Sequence, residues 1–135
     1  MECIFCKIVK GDIPSAEIYE DDKVVAFLDI SPANKGHALV VPKEHYATLL
    51  DTPDDLLDHI IKVVKKIARA QSSALGNKGF NVLVNNNKEA GQVVPHLHFH
   101  VIPRFGKESM CLNWKPSKYQ GKELDEFSDK IKKFL

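Results

Sequence analysis

An α+β domain built on an antiparallel sheet is what this 135-residue sequence predicts. Short β-like runs succeed one another at hairpin distances, one long amphipathic segment interrupts them, and the chain is too short for a second full core. One domain is therefore expected over residues 1–135, with a core at about 3–104 and a C-terminal extension at about 105–135. Hydrophobic residues at 44% and charged residues at 27% give the balance of an ordinary globular chain, which sets aside disordered and fibrous classes.

Each element has its own signal. AEIYEDDKVVAFLDI, residues 16–30, holds two β-like runs around the charged turn Glu20-Asp21-Asp22-Lys23. HALVVP, residues 37–42, reads as an almost continuous apolar strand that Pro42 terminates. A long helix follows. Thr52 is its expected N-cap, Pro53 its first helical residue, and Asp54 and Asp55 suit the positive end of the dipole. Leu57, Ile60, Ile61, Val64 and Ala68 then recur at helical spacing on one face, and Gly76 is placed to cap the C-terminus. His59, within that helix, reads as a surface residue. Two further strands are expected at 79–85 and about 94–102, joined by a polar loop that contains Gly91. In the tail, Leu124, Phe127, Ile131 and Phe134 mark a C-terminal helix, while Cys111 and Trp114 default to packing roles.

Charge and cysteine usage narrow the class. Nineteen basic against eighteen acidic residues leave a net charge of +1, which argues against binding nucleic acid through bulk electrostatics. A small phosphorylated ligand needs only a local site. No apolar run approaches the roughly 18 residues that span a bilayer, and the opening MECIFCKIVKGD is too polar for a secretory signal. A cytoplasmic setting is expected, where paired cysteines bind metal or do redox chemistry more often than they form structural disulfides.

PHLHFHV, residues 95–101, carries the densest chemistry. In extended chain successive side chains face opposite ways. His96, His98 and His100 therefore share one face, and Leu97, Phe99 and Val101 share the other, the core. One such histidine would pass as surface decoration, but three in alternation do not. A single ion held by all three fits poorly, because alternate positions lie about 7 Å apart per step. An imidazole row suits an extended anion, with one ring as nucleophile and others on oxygens. Cys3 and Cys6 form a C-x2-C knuckle, half of a tetrahedral zinc site, for which His45 and one strand histidine are candidate partners. The alternative is two buried cysteines acting as small hydrophobes. A redox pair fits less well, since the βαβ context is missing.

These motifs together resemble the histidine triad (HIT) family, and within it the Hint branch. HLHFHV preceded by GQVVP is similar to the His-x-His-x-His signature, CIFCKIVKGDIPSAEIYEDDKVVAFLDISPANKGHALVVPKEH to the N-terminal half, and GFNVLVNNNKEAGQVVPHLHFHVIP to the C-terminal half. The likeness runs from about residue 3 to 104. It implies a HIT fold with one long packed helix, a homodimer, and hydrolysis or transfer at the α-phosphate of a purine nucleotide. By position, His98 is the implied nucleophile, forming a nucleotidyl-histidine that water resolves. The main-chain carbonyl near His96 would fix its tautomer, and His100 would contact a phosphate oxygen and assist the leaving group.

The resemblance further implies that Asn85 and Gln92 serve the phosphate, that Gly91 lies at the nucleotide, and that Asp29 accepts the ribose hydroxyls. Phe5, Phe27, Leu28 and Ile30 would form the base slot, with His37 also at the nucleotide. It implies structural zinc on Cys3, Cys6, His45 and His96, with no open ligand position. Val93 stands where eukaryotic Hint members commonly carry a serine, and the tail from Lys107 differs from their short C-terminus. His100, where transferase relatives have glutamine, favours hydrolysis. The leading expectation is a purine nucleoside phosphoramidase. The alternatives are a dinucleoside polyphosphate hydrolase, or a nucleotide-binding regulatory protein whose catalysis is incidental.

Overall fold

The computed structural model describes residues 3–107 and 115–135. Cys111 and Trp114 lie outside the described residues. Five strands, β1 (Glu17–Glu20), β2 (Val24–Leu28), β3 (Ala38–Pro42), β4 (Gly79–Leu83) and β5 (Phe99–Arg104), form one sheet in the order β1-β2-β3-β5-β4. Every pairing is antiparallel. Among the described residues the sheet is joined by three α-helices: α1 (Ile4–Lys10), α2 (Asp54–Leu75) and α3 (Glu123–Lys132). The expected α+β class, with a long helix and a C-terminal helix, is what the chain adopts.

The sheet is covered on both faces, and the period of two decides what goes where. Val24 and Ala26 of β2, Ala38 and Val40 of β3, and Phe99 and Val101 of β5 pack with Ile60, Val63, Val64, Ile67 and Ala68 of α2. The residues between them face the other way: Val25, Phe27, Leu39 and Val41 pack with Cys3 and Phe5 beside α1. β2 and β3 are thus apolar at consecutive positions because both their faces are interior.

Several boundaries differ from expectation. Pro53, not Thr52, is the N-cap of α2, with no side-chain capping bond. Thr52 instead closes a short 3-10 turn at Leu49–Asp51, its hydroxyl donating to the Thr48 carbonyl (2.9 Å). Gly76 caps α2 as expected, with φ of 74° in the left-handed region that glycine tolerates best. On α2, Val63 and Ile67 are buried while Ile61 points outward at 51% exposure. His59 is half-buried, its Nε2 2.7 Å from Asp21 Oδ2, so it ties α2 to the β1–β2 turn. β4 ends at Leu83, and β5 begins only at Phe99, so His96 and His98 lie on the approach to the strand. α1 was not foreseen. α3 leaves Leu124, Phe127 and Ile131 exposed, and Phe134 lies beyond its end.

Candidate active site and metal centre

The face of the sheet beneath α1 carries the chemistry. Phe27, Leu39 and His100 pair in register across β2, β3 and β5, which sets their side chains in one row. α1 packs on β2 and β3 at this face and contributes Ile4, Phe5 and Ile8. Together they bound a cavity of about 500 Å³ that His98 and His100 reach from one side. Of the residues expected there, Phe5, Phe27, Leu28, Asp29, Ile30, Asn85, Gly91, His98 and His100 line it. The cavity is the size of a small-ligand site.

His98 is buried and held in one tautomer. Its Nδ1–H donates to the main-chain carbonyl of His96 (2.7 Å). A carbonyl only accepts, so the lone pair of the neutral ring resides on Nε2. Phe5 packs edge-on against the ring, centroids 5.0 Å apart. Burial pulls the His98 pKa below the ordinary histidine value, more than the bond to His96 and the Asp29 carboxylate restore. A neutral imidazole with a free nitrogen is what a nucleophile requires.

His100 is fixed by a chain of donors. The Ala33 N–H donates to His37 Nδ1 (3.0 Å), which leaves the His37 proton on Nε2. That proton points to His100 Nδ1 (2.9 Å), so His100 carries its own proton on Nε2. Burial, with His98 and His37 adding, pushes the His100 pKa down to about 4 against the pull of Asp29. At neutral pH His100 is therefore an uncharged donor. His37 stands behind it, buried, with Asp29 Oδ2 3.7 Å from its Nε2.

Gln92 was expected at the phosphate but its amide is engaged elsewhere. Its Nε2 donates to the carbonyls of Ala47 (2.8 Å) and Val94 (3.0 Å), and its Oε1 accepts from the Asn87 N–H (2.7 Å). These bonds clamp the loop that carries Asn85 and Gly91. Gly91 has φ of 89°, a conformation that would strain any side chain there. The sequence reading missed Ile4, Ile8, Ile13, Pro14, Ser15, Ser31, Leu39 and Val94 as lining residues. Ile4 and Ile8, one helical turn apart, were the available signal.

A second cluster sits beside the cavity. Donor atoms of Cys3, Cys6, His45 and His96 lie within 4.8 Å of one another. His96 Nδ1 is 3.3 Å from Cys3 Sγ, 3.6 Å from Cys6 Sγ and 3.1 Å from His45 Nδ1, and Cys6 Sγ is 3.4 Å from His45 Nδ1. Around tetrahedral zinc the edges between such ligands are roughly 3.3–3.8 Å. The His96 Nε2–H donates to the Pro42 carbonyl (2.8 Å), turning the Nδ1 lone pair into the cluster. The donor set fits a structural zinc ion. Asp29, His37 and His100 also lie within 4.8 Å of one another, but there the His37 proton fills the gap between the two rings.

Comparison with known proteins agrees with this fold. Residues 10–107 match the HIT domain family model. An adenosine 5′-monophosphoramidase of Schizosaccharomyces pombe is 44% identical over 137 residues, covering 98% of this chain and 100% of the relative. The crystal structure of a HIT family member from Bacillus subtilis superposes with a TM-score of 0.92 at 46% identity, covering 100% of this chain and 98% of that one. A zinc-bound histidine triad family protein from Mycobacterium smegmatis gives a TM-score of 0.79 at 41% identity, covering 87% of this chain and 85% of that one.

Proposed function

The chain belongs to the histidine triad (HIT) family, and from that premise we propose that it is a nucleotide hydrolase acting at an α-phosphate, a purine nucleoside phosphoramidase with His98 as nucleophile. The observation that carries this reading is the bond from His98 Nδ1–H to the His96 carbonyl, which leaves Nε2 unprotonated beside an apolar cavity. Similarity to the S. pombe phosphoramidase over the whole chain supports the substrate class.

In the proposed reaction the base lies between Phe5, Phe27 and Leu28, and the ribose hydroxyls meet Asp29. His98 Nε2 attacks the α-phosphorus as the P–N bond breaks, and water then releases the nucleotide from the histidine. His100 directs its Nε2–H toward the departing amine. His100 stays neutral, its Nδ1 occupied by the His37 Nε2–H, and the proton that leaves with the amine arrives on the phosphoramidate nitrogen of the substrate itself. Gln92 acts by holding the Asn85–Gly91 loop. Val93, 90% exposed at the rim, offers the leaving group no hydrogen bond.

Zinc on Cys3, Cys6, His45 and His96 would be structural, since four protein ligands leave no position for substrate. Protein purified without added metal should contain about one zinc per chain by elemental analysis. Thiolate ligands of this kind persist in a reducing compartment, which supports a cytoplasmic location. Support for the homodimer comes from edge strand β4, where Phe80 and Val82 are 50% and 42% exposed. With Ile61, Val64 and Ala68 of α2 they line an apolar groove of about 500 Å³, which we assign to a second copy of the chain.

The test is AMP release from adenosine 5′-phosphoramidate by the parent and by His98→Asn. The mutant should lose roughly 10³-fold or more in kcat while keeping its fold and zinc. A folded, zinc-loaded parent that releases no AMP would overturn the reading.

A further inference from the structure

We propose that the Cys3–Cys6 knuckle is a positioning device for His98, and that two-electron oxidation of its thiols turns the device off; this rests on His98 being the nucleophile. Two separate routes connect the knuckle to that ring. Along the main chain, the His96 imidazole reaches both cysteine sulfurs through Nδ1, while the carbonyl of the same residue receives the His98 Nδ1–H. Displacing His96 therefore removes the acceptor that keeps the His98 lone pair on Nε2. Through packing, Phe5 sits between the two cysteines in sequence and sets its ring against His98 at 5.0 Å and 82°, and against Phe27 at 5.6 Å. α1 has only seven residues, far fewer than a helix needs to persist alone, so its placement depends on what anchors it.

The knuckle is also open to reagents. Cys6 is partly exposed and His45 exposed, and a cleft of about 380 Å³ lined by Cys3, Cys6, His45, Lys10 and Lys43 leads to the sulfurs. The oxidant class is a peroxide. One thiolate attacks a peroxide oxygen, the O–O bond breaks, and a sulfenic acid and hydroxide form. The second thiolate displaces hydroxide from that sulfur to give the Cys3–Cys6 disulfide. Both electrons pass from the sulfurs to the peroxide. A divalent ion held by Cys3, Cys6, His45 and His96 would lose two of its four ligands and be released with its charge unchanged. The sulfurs already lie within 4.8 Å, and a disulfide needs about 2.05 Å, a movement of side chains at the start of α1.

The test uses the full-length, zinc-loaded protein carrying Cys111→Ser, so that only two thiols react, and hydrogen peroxide as the probe. Peptide mass should show loss of two hydrogens across Cys3 and Cys6, and an indicator dye should report about one zinc released per chain. In ¹⁵N spectra of the imidazoles, His98 should pass from a pure Nδ1–H form to a mixture of tautomers. AMP release should fall ~10²-fold, the cost of a misplaced reacting group, and return with dithiothreitol and zinc. In substrate-free Phe5→Leu, the His98 imidazole signals should shift with zinc content unchanged, a readout that the loss of a base contact does not move. Thiols that resist peroxide, or a disulfide that leaves His98 tautomer and turnover unaltered, would overturn the proposal. A His98 signal that responds as expected in a protein that releases no AMP would instead overturn the phosphoramidase reading and leave the coupling supported.

Discussion

His98 and His100 are both held below the ordinary histidine value by burial, and this fixes the sign of the pH dependence. The nucleophile works only when unprotonated. A lowered pKa keeps it unprotonated to more acidic pH, so the acid limb of kcat/KM should fall below 6.5. A profile of kcat/KM against pH between 4 and 8, at constant ionic strength, checks this; a limb at 6.5 or above would mean that the site is wetter than its geometry indicates. The same scale shows what the sequence could not convey. Alternation put the three histidines on one face. It could not separate their roles, because those depend on partners distant in the chain: Pro42 and the cysteines for His96, the backbone of Ala33 through His37 for His100. Gln92 is the converse case. Its position suggested a phosphate contact, while its bonds to Ala47, Val94 and Asn87 stitch two loops.

Among the elements, α2 and the inner strands were legible because burial writes a period into them, 3.6 residues for the helix and near-continuous apolar runs for β2 and β3. Ile60 is fully buried where α2 meets the sheet. Ile60→Ala should cost about 2–5 kcal/mol, read as a lower urea midpoint with unchanged slope. α1 was illegible for a physical reason. Its N-cap is Cys3, outside the usual capping set, and its Sγ accepts from the Cys6 N–H at 3.4 Å. Gly11, with φ of 83°, and Lys7 and Lys10 in the last turn were the C-terminal signals present. The late start of β5 was hidden too. His96 N–H bonds to the Val94 carbonyl and Leu97 N–H to the Tyr46 carbonyl, so an alternating sequence approaches the strand without joining its ladder.

At the scale of the whole molecule, the exposed edge at β4 bears on assembly, since an unpaired strand edge flanked by an apolar groove demands cover. Sedimentation should give twice the chain mass, and Phe80→Glu, which puts a charge in the groove, should shift the protein toward the monomer. A parent that sediments as a monomer at micromolar concentration would remove the second copy from that groove. The two-faced sheet has a further reach. Along β2, β3 and β5 neighbouring residues answer to different layers, one governed by α2 and the other by the chemistry beneath α1. A saturation library scored separately for cellular abundance and for turnover should alternate residue by residue. Val24, Ala26, Ala38, Val40 and Val101 would lower abundance and turnover together, while at Phe27, Leu39 and His100 turnover would fall further than abundance. The phenotype of a substitution in this protein would then follow the parity of its position.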